Sequence, residues 1–109
     1  MTDLANKKCV PCESWTPPKL KEEAEKLLKE IPDWKLVDDK ILKITRDFEF
    51  KDFKEAMAFI NKVADLAESE GHHPDICIFY NKVTLTLTTH FIKGLSDNDF
   101  ILAAKIDQL

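Results

Sequence analysis

Apolar residues recur along this chain with two different periodicities, and the first is that of an α-helix. Between residues 20 and 31 they fall three or four positions apart with charged residues between them, and Pro32 ends the run. The same spacing returns after Asp52, which forms a capping-box pattern with Glu55, and it continues toward Gly71. Two amphipathic helices are therefore predicted. Their apolar positions are Leu20, Ala24, Leu27, Leu28 and Ile31 in the first, and Phe53, Ala56, Met57, Ile60, Val63, Ala64 and Ala67 in the second.

The second periodicity is the alternation of apolar and polar residues that is typical of strands. One alternating stretch runs from Trp34 to Phe48, with a turn at residues 38–40 and an interruption at Arg46. Another begins at Ile76. Each stretch predicts a β-hairpin. In the later hairpin Ile76, Ile78 and Tyr80 share one face of a strand, Asn81 and Lys82 form the turn, and Val83, Leu85 and Leu87 lie opposite Thr84, Thr86, Thr88 and His90.

A third helix is predicted near the C-terminus, where Ser96 can cap it and Asp99 stands at its third position. Apolar residues from Phe100 to Ile106 cover more than one side of this helix, so we expect it to contact a second subunit. The order of elements, with short connections, predicts a single α+β domain. This domain has one four-stranded antiparallel sheet with three helices on one face, in the order α-β-β-α-β-β-α.

Length and charge exclude several classes of function. The 109 residues, of which 44% are hydrophobic and 33% charged, suit one domain with one core. A net charge of -4 gives no general attraction to phosphate backbones or anionic lipids. No stretch approaches the ~20 apolar residues that a membrane span requires, and the N-terminal residues lack the apolar segment of a signal peptide. We therefore expect a cytoplasmic protein that binds neither nucleic acid nor membrane.

Two of the three cysteines, Cys9 and Cys12, form a CVPC motif ahead of the predicted elements. A structural zinc site normally needs four ligands, and the third cysteine, Cys77, lies in a predicted strand. Two subunits could pool their pairs into a four-sulfur site, but a reduced, mobile tail over residues 1–18 is the simpler interpretation. A thioredoxin-like redox role is weaker still, because the motif does not follow a strand of a βαβ unit.

Two adjacent histidines, His72 and His73, lie at the exit of the second predicted helix in the segment GHHPDI. Gly71 accepts the left-handed conformation that commonly follows a helix. Pro74 disfavours helical backbone at His73. The two imidazoles are therefore expected in a tight loop between a helix and a strand.

The remaining histidine, His90, is expected to join this pair. The later hairpin returns the end of its second strand to the start of its first, and Gly94 can let the chain turn back beyond it. Glu68 and Asp99 could both reach the same edge of the sheet, where a carboxylate can orient an imidazole. The sequence thus predicts that three imidazoles converge at one edge of the sheet.

Several interpretations of this cluster compete. Each residue alone could be a cap or a loop residue, as Asp99 could be for the third helix. Three histidines could bind zinc, but adjacent residues rarely direct both rings at one ion, and no histidine pair has i,i+4 spacing. No serine or cysteine stands in the context of a nucleophile. We favour general acid–base chemistry on an organic substrate, because imidazole titrates near pH ~6.5 and both of its forms are present at cytoplasmic pH.

The sequence resembles the pterin-4a-carbinolamine dehydratases, also called 4a-hydroxytetrahydrobiopterin dehydratases. The resemblance runs from about Trp34 to the AAKID segment near the C-terminus. It rests on an acidic residue ahead of HHP, on YNKVTLTLTTH and on GLSDNDF. It implies the family's α+β fold in residues 19–109, following an N-terminal tail with the CxxC motif at residues 1–18. It also implies homodimers with joined sheets, which can pair into homotetramers.

The resemblance further implies a hydro-lyase that removes water from a 4a-hydroxytetrahydropterin to give the quinonoid dihydropterin, in tetrahydrobiopterin recycling or related pterin metabolism. No metal or other cofactor is implied. We expect His72 and His90 to be the acid–base pair and His73 to orient the substrate. Carried over by motif, the catalytic residues are His72, His73 and His90, the substrate-binding residues are Gly71, His72, His73, Thr88, Thr89, His90 and Phe91, and the supporting carboxylates are Glu68 and Asp99.

One departure from the family and one alternative function follow from the same resemblance. Many members carry an acidic residue directly after the third histidine, where this chain has Phe91, and this difference leaves open a changed pocket wall or a changed substrate preference. Animal members also act as dimerisation partners of a homeodomain transcription factor, so a non-catalytic role in pterin binding or protein stabilisation is the alternative. Molybdopterin-related metabolism is a further alternative for microbial members.

Overall fold

The structure, a computed structural model, describes residues 4–10 and 17–109, and these residues form the predicted succession of elements. The helices are α1 (Lys21–Leu28), α2 (Phe53–Glu70) and α3 (Asp97–Ile106), and the strands are β1 (Lys35–Asp38), β2 (Leu42–Glu49), β3 (Asp75–Phe79) and β4 (Lys82–Leu87). Short 3-10 turns occupy Leu4–Asn6 and His90–Ile92. The α+β class, the antiparallel sheet and the order of its elements are confirmed. Within the described residues, every helix is too short or too polar to cross a bilayer.

Strand β4 lies inside the sheet, which has the order β1-β2-β4-β3. It pairs with β2, where Leu87 lies opposite Ile44, and with β3, where Val83 lies opposite Ile78. The alternation predicted for β4 is confirmed, because Val83, Leu85 and Leu87 are fully buried and the threonines between them are only partly buried. A strand with neighbours on both edges and helices on one face gives this alternation most clearly.

Local sequence fixes both ends of α2. At its start the Asp52 carboxylate accepts a hydrogen bond from the Glu55 N–H (2.9 Å), and the Glu55 carboxylate accepts one from the Lys51 N–H (3.0 Å). At its end Gly71 adopts the left-handed conformation, with φ of 66°. The helix therefore stops where predicted, directly before His72. By contrast, α1 ends at Leu28, earlier than its apolar pattern indicated.

Helix α3 is the most extensively buried helix, and the N-terminal segment covers one side of it. Its apolar residues are all buried in the core. The turn Leu4–Asn6 packs against it, and Leu4 itself belongs to the core. The second apolar side of α3 thus has a partner within the same chain. The apolar excess that suggested a subunit contact is accounted for on this side by the N-terminal segment.

Two boundaries in the later hairpin differ from the prediction. Tyr80 lies in the turn, with a positive φ of 55°, and Lys82 is the first residue of β4. Period-two alternation cannot mark this boundary, because Tyr80 continues the apolar pattern of Ile76 and Ile78. The other end of β4 also differs from the prediction, because the strand stops at Leu87 and His90 begins a 3-10 turn instead of continuing the strand.

The chain reversal that was expected at Gly94 depends in part on the preceding residue, Lys93. Lys93 carries the positive φ of 57° that reverses the chain after the 3-10 turn. Gly94 is needed for space, because a Cβ atom there would lie 2.6 Å from the Cβ of Pro18. The reversal returns the chain to Thr89, which forms an isolated antiparallel bridge with Gly94.

A partly buried network ties the end of α3 to the first hairpin. The Asp107 carboxylate accepts hydrogen bonds from Trp34 Nε1 (2.8 Å) and from Arg46 Nη1 (2.6 Å). The Arg46 guanidinium lies 4.4 Å from the centre of the Phe48 ring. Arg46 interrupts the apolar alternation of β2 because it stands opposite Leu85 on the helix-covered face, where Asp107 pairs its charge.

Replacing Asp107 by alanine is expected to lower the free energy of unfolding by about 1–3 kcal/mol, because the Trp34 indole and the Arg46 guanidinium each lose a partner in a partly buried place. Asp38→Ala is the control, since its ion pair with Lys21 is exposed on both sides and such pairs contribute ~0–1 kcal/mol. Urea unfolding followed by circular dichroism measures both variants. Equal losses would contradict the structural role of this network.

Candidate active site

The loop that follows α2 presents the two adjacent histidines. Gly71 adopts its left-handed conformation with no atom near the position a Cβ would take, so the requirement there is for backbone conformation and not for space. The His72 N–H closes the helix end by donating to the Ala67 carbonyl (3.2 Å). Three residues after His72, Asp75 begins β3 directly after Pro74. The chain therefore turns within a few residues, and the two imidazoles find different partners.

His72 is paired with a buried carboxylate. Its Nε2 lies 2.6 Å from Asp99 Oδ1, and Asp99 is fully buried while 12% of the His72 side chain is exposed. The other carboxylate oxygen, Oδ2, accepts hydrogen bonds from the Ser96 N–H (2.9 Å) and from Thr89 Oγ1 (2.8 Å). The same carboxylate therefore caps α3 and holds the imidazole. A carboxylate on one ring nitrogen fixes both the tautomer and the orientation of a histidine.

His73 is paired at the surface. Its Nε2 is hydrogen-bonded to the Glu68 carboxylate, one turn back in α2, and both side chains are largely exposed. Such pairs contribute little to stability because water competes for both partners. The Glu68–His73 pair can thus separate at small cost, whereas the Asp99–His72 pair cannot.

His90 lies just beyond β4 and is exposed. Among the described residues no hydrogen bond or ion pair joins its imidazole to His72 or His73. It is linked to them through its neighbour, because the buried Thr89 hydroxyl donates to Asp99. The convergence of His90 with the other two imidazoles stays a prediction.

The two threonines before His90 are buried and have different partners. Thr88 Oγ1 donates to the Leu42 carbonyl (2.9 Å) and lies 3.2 Å from the Gly94 carbonyl, so its hydroxyl joins β2, β4 and the loop that follows. Thr89 Oγ1 lies 2.7 Å from Ser96 Oγ in addition to its bond with Asp99. Of this pair, Thr89 is the one linked to His72 through a shared carboxylate.

A cavity of about 310 Å³ adjoins these residues. None of the three imidazoles lines it, but Gly71 lies next to His72 in the chain, and Thr89 and Phe91 lie on either side of His90. Sequence reasoning identified those three residues and missed the rest, which no strand or helix pattern marks. The cavity is lined by Cys9, Val10, Glu70, Gly71, Thr89, Phe91 and Asn98.

Cys9 is a protonated thiol in this setting. Burial, together with the nearby Glu70 carboxylate, raises the pKa of Cys9 to about 12. The pKa of Glu70 is lowered, chiefly because the carboxylate accepts a hydrogen bond from the Cys9 N–H and also because Lys105 lies beside it. Metal binding and redox chemistry both require a thiolate, so this environment disfavours both for Cys9. Cys12, the other half of the CVPC motif, lies outside the described residues.

No group of three or more His, Cys, Asp or Glu residues within residues 4–10 and 17–109 is arranged to hold a metal ion. Two of the three imidazoles are instead each paired with one carboxylate, His72 with Asp99 and His73 with Glu68. Such pairs can hold a proton and release it.

The fold and these pairs define an α+β protein with a histidine–carboxylate site beside a small cavity. The chain belongs to the pterin 4 alpha carbinolamine dehydratase family, whose model matches residues 17–109. Two bacterial relatives carry the name "Putative pterin-4-alpha-carbinolamine dehydratase". The one from Rubrobacter xylanophilus is 46% identical over 109 residues and covers 100% of both chains. The one from Nitrosomonas eutropha is 51% identical over 108 residues and covers 98% of this chain and 93% of the relative.

Two solved structures share the fold. A transcriptional coactivator/pterin dehydratase from Brucella melitensis has a TM-score of 0.78 and 35% identity, covering 84% of this chain and 96% of that one. A pterin dehydratase-like protein, described as a RuBisCO assembly factor in the alpha-carboxysome, has a TM-score of 0.60 and 23% identity, covering 70% and 87%. The second likeness concerns the fold alone.

The thiols of Cys9 and Cys77 should react at very different rates, because Cys9 is half-buried with its pKa raised to about 12 and Cys77 is exposed. We compare variants that each retain one of these two cysteines, both with Cys12→Ser. Iodoacetamide at pH 8, followed by intact mass, should modify Cys9 at least ~10-fold more slowly, since the thiolate is the reacting form. In urea the two rates should become similar. Equal rates in the folded protein would contradict the placement of Cys9.

Proposed function

We propose that this chain removes water from a 4a-hydroxytetrahydropterin by histidine acid–base catalysis, in tetrahydrobiopterin recycling or related pterin metabolism. The observation that carries the proposal is the pair of His72 with the buried Asp99 at the start of α3. Family membership indicates the substrate class. The pair supplies a positioned imidazole, which this reaction needs.

The reaction requires one proton to be delivered and one to be removed. The bond between ring carbon 4a and its hydroxyl breaks, and a proton from an imidazolium converts the leaving hydroxide to water. The proton on ring nitrogen 5 passes to a neutral imidazole as the double bond between that nitrogen and carbon 4a forms. One water leaves, and one proton has moved from one imidazole to the other. Because no substrate atom is oxidised or reduced overall, the step needs no redox partner.

The contacts favour His72 as the base and His90 as the acid. Asp99 accepts a hydrogen bond from His72 Nε2, so in the neutral ring Nδ1 carries the lone pair that can take a proton. His90 is exposed and can be reprotonated from water after each cycle. His73, held only by the exposed Glu68, is the residue that orients the substrate in this scheme.

Replacing His90 by alanine should lower the turnover for carbinolamine dehydration by ~10-fold or more, the effect expected when one acid–base group is lost. His90 is exposed, so thermal unfolding should remain at the wild-type temperature. Lys62→Ala, on an exposed position of α2, is the control and should retain full turnover. Wild-type turnover in His90→Ala would overturn the role given to this residue. The wild-type rate should also be unchanged by a chelator, and a metal-dependent rate would overturn the mechanism.

A homo-oligomer, a dimer or a tetramer, is part of this proposal. Strand β3 is an edge of the sheet, and Ile76 and Phe79 are exposed along it. An exposed apolar edge strand is able to pair with another strand. Sedimentation equilibrium should give a mass of two or four chains, and Phe79→Lys should shift it toward one chain. A wild-type monomer at micromolar concentration would contradict this part of the proposal.

A second candidate function is a non-catalytic role in binding pterin or a protein partner. One observation favours it: Phe79 and Tyr80 stand exposed at the tip of the later hairpin, away from the histidine site. The Brucella melitensis protein, whose name includes a transcriptional coactivator, shares this fold. The dehydration assay separates the two candidates, since pterin binding without acceleration would favour the second.

A further inference from the structure

The N-terminal segment contributes one wall of the cavity beside the histidines, although it lies outside residues 17–109 that match the family model. Cys9 and Val10 line this cavity together with Gly71, Thr89 and Phe91. Its volume of about 310 Å³ lies at the lower end of ligand pockets, which span ~300–1,000 Å³. Because the cavity is small, the side chains of this segment limit the size of the group that can enter it.

The wall is held in place by two polar side chains from the elements that carry the site. Asn98 forms a double hydrogen bond with the backbone of Val10, accepting from its N–H (2.9 Å) and donating to its carbonyl (2.6 Å). Glu70 accepts a hydrogen bond from the Cys9 N–H (2.9 Å) and is paired with Lys105 (3.3 Å). Both anchoring side chains have low exposure, and the bonds that they form are partly buried.

The positions of these anchors connect the wall to the chemistry. Asn98 directly precedes Asp99, and Glu70 is two residues before His72. The distance between the wall and the His72–Asp99 pair is therefore set by only a few backbone bonds at each anchor. A shift of Val10 changes the space beside the imidazoles without changing the imidazoles themselves.

The character of the wall indicates which part of a pterin it meets. Val10 and Phe91 are both 65% exposed, so two apolar side chains are available at the cavity, and Asn98, Glu70 and Thr89 add polar groups to its lining. In a pterin, ring nitrogen 5 is bonded to carbons 4a and 6. A substituent on carbon 6 therefore projects next to the reacting edge, and the cavity beside the histidines is the space it would enter.

We propose that the Cys9–Val10 segment selects among pterin substrates by the substituent on ring carbon 6, with Val10 as the specificity-determining residue and Asn98 as the residue that positions it. This inference rests on the proposed dehydratase function. It goes beyond that function because it assigns substrate selection to a segment that the family's histidine motif does not include.

Two substrates and two variants test it. The substrates are 4a-hydroxytetrahydropterins with a methyl group or a dihydroxypropyl group on carbon 6. Val10→Phe should lower kcat/KM for the dihydroxypropyl substrate by ~10-fold or more, mainly through KM, because an overfilled pocket discriminates strongly between substituents of different size. The same variant should change kcat/KM for the methyl substrate by less than ~3-fold, since a smaller substituent leaves room for the larger side chain. Lys8→Phe adds the same ring to an exposed position of the same segment that does not line the cavity, and it should leave both substrates unchanged.

Asn98→Asp tests the positioning role. It keeps the size of the side chain and the acceptor for the Val10 N–H, but it removes the donor to the Val10 carbonyl and places a carboxylate against it. Hydrogen exchange at the Val10 amide should accelerate by ~10-fold or more, which corresponds to at least ~1.4 kcal/mol of lost protection, because repulsion between the new carboxylate and the Val10 carbonyl loosens the segment. The ratio of kcat/KM for the two substrates should fall toward one, with kcat for the methyl substrate retained.

The outcomes separate the two proposals. If the wild-type protein accelerates dehydration of neither substrate, the dehydratase function fails. If it accelerates both and Val10→Phe lowers them equally, or if Lys8→Phe has the same effect as Val10→Phe, the selecting wall is overturned while the dehydratase function stands. Unchanged selectivity in Asn98→Asp with faster exchange at Val10 would remove Asn98 from the positioning role.

Discussion

The site depends on one buried carboxylate, that of Asp99. A fully buried charge costs several kcal/mol unless hydrogen bonds and opposite charges compensate it. Here the compensation comes from the Ser96 N–H, the Thr89 hydroxyl and the His72 imidazole. These three groups belong to the start of α3, to the chain after β4 and to the exit of α2. Docking those elements against one another and fixing the imidazole are therefore the same structural event.

The N-terminal segment repeats this arrangement with neighbouring residues, one before Asp99 and two before His72. Asn98 and Glu70 use side chains to satisfy the backbone of Val10 and Cys9, just as Asp99 satisfies the backbone of Ser96. The segment also supplies Leu4 to the core and covers one side of α3. The segment thus stabilises the core at Leu4 and lines the cavity at Cys9 and Val10. This gives a physical reason for a helix whose apolar residues exceed what one sheet can cover.

Elements governed by local interactions could be predicted from the sequence. The capping pattern at Asp52, the glycine that ends α2 and the cap formed by Ser96 with Asp99 act within four residues, and the structure has all three. The alternation of β4 was equally clear. The family and the histidine motif were also recognisable, since the motif is nearly continuous in the chain.

Features that depend on distant partners could not be predicted. The space requirement at Gly94 arises from Pro18, which lies far away in the sequence. The wall at Cys9 and Val10 depends on the side chains of Asn98 and Glu70, and no periodic pattern precedes it. Tyr80 looked like a strand residue because its apolar character fits the alternation, and only the turn geometry requires its left-handed backbone. The CVPC motif drew attention to Cys9 for its sulfur, whereas its backbone N–H is the group that Glu70 binds.

The two adjacent histidines differ most in what holds them, and this difference bears on their roles. His72 is bound to the Asp99 carboxylate, which two further donors hold in place. Moving the His72 ring would therefore leave this buried carboxylate with one partner fewer. His73 is bound to a carboxylate that water already reaches, so its ring can exchange Glu68 for another partner with little loss. Proton transfer requires a ring whose nitrogen stays within hydrogen-bond reach of the reacting atom. A ring that must accommodate an arriving substrate benefits from a partner it can leave, and the sequence HHP places one imidazole of each kind side by side.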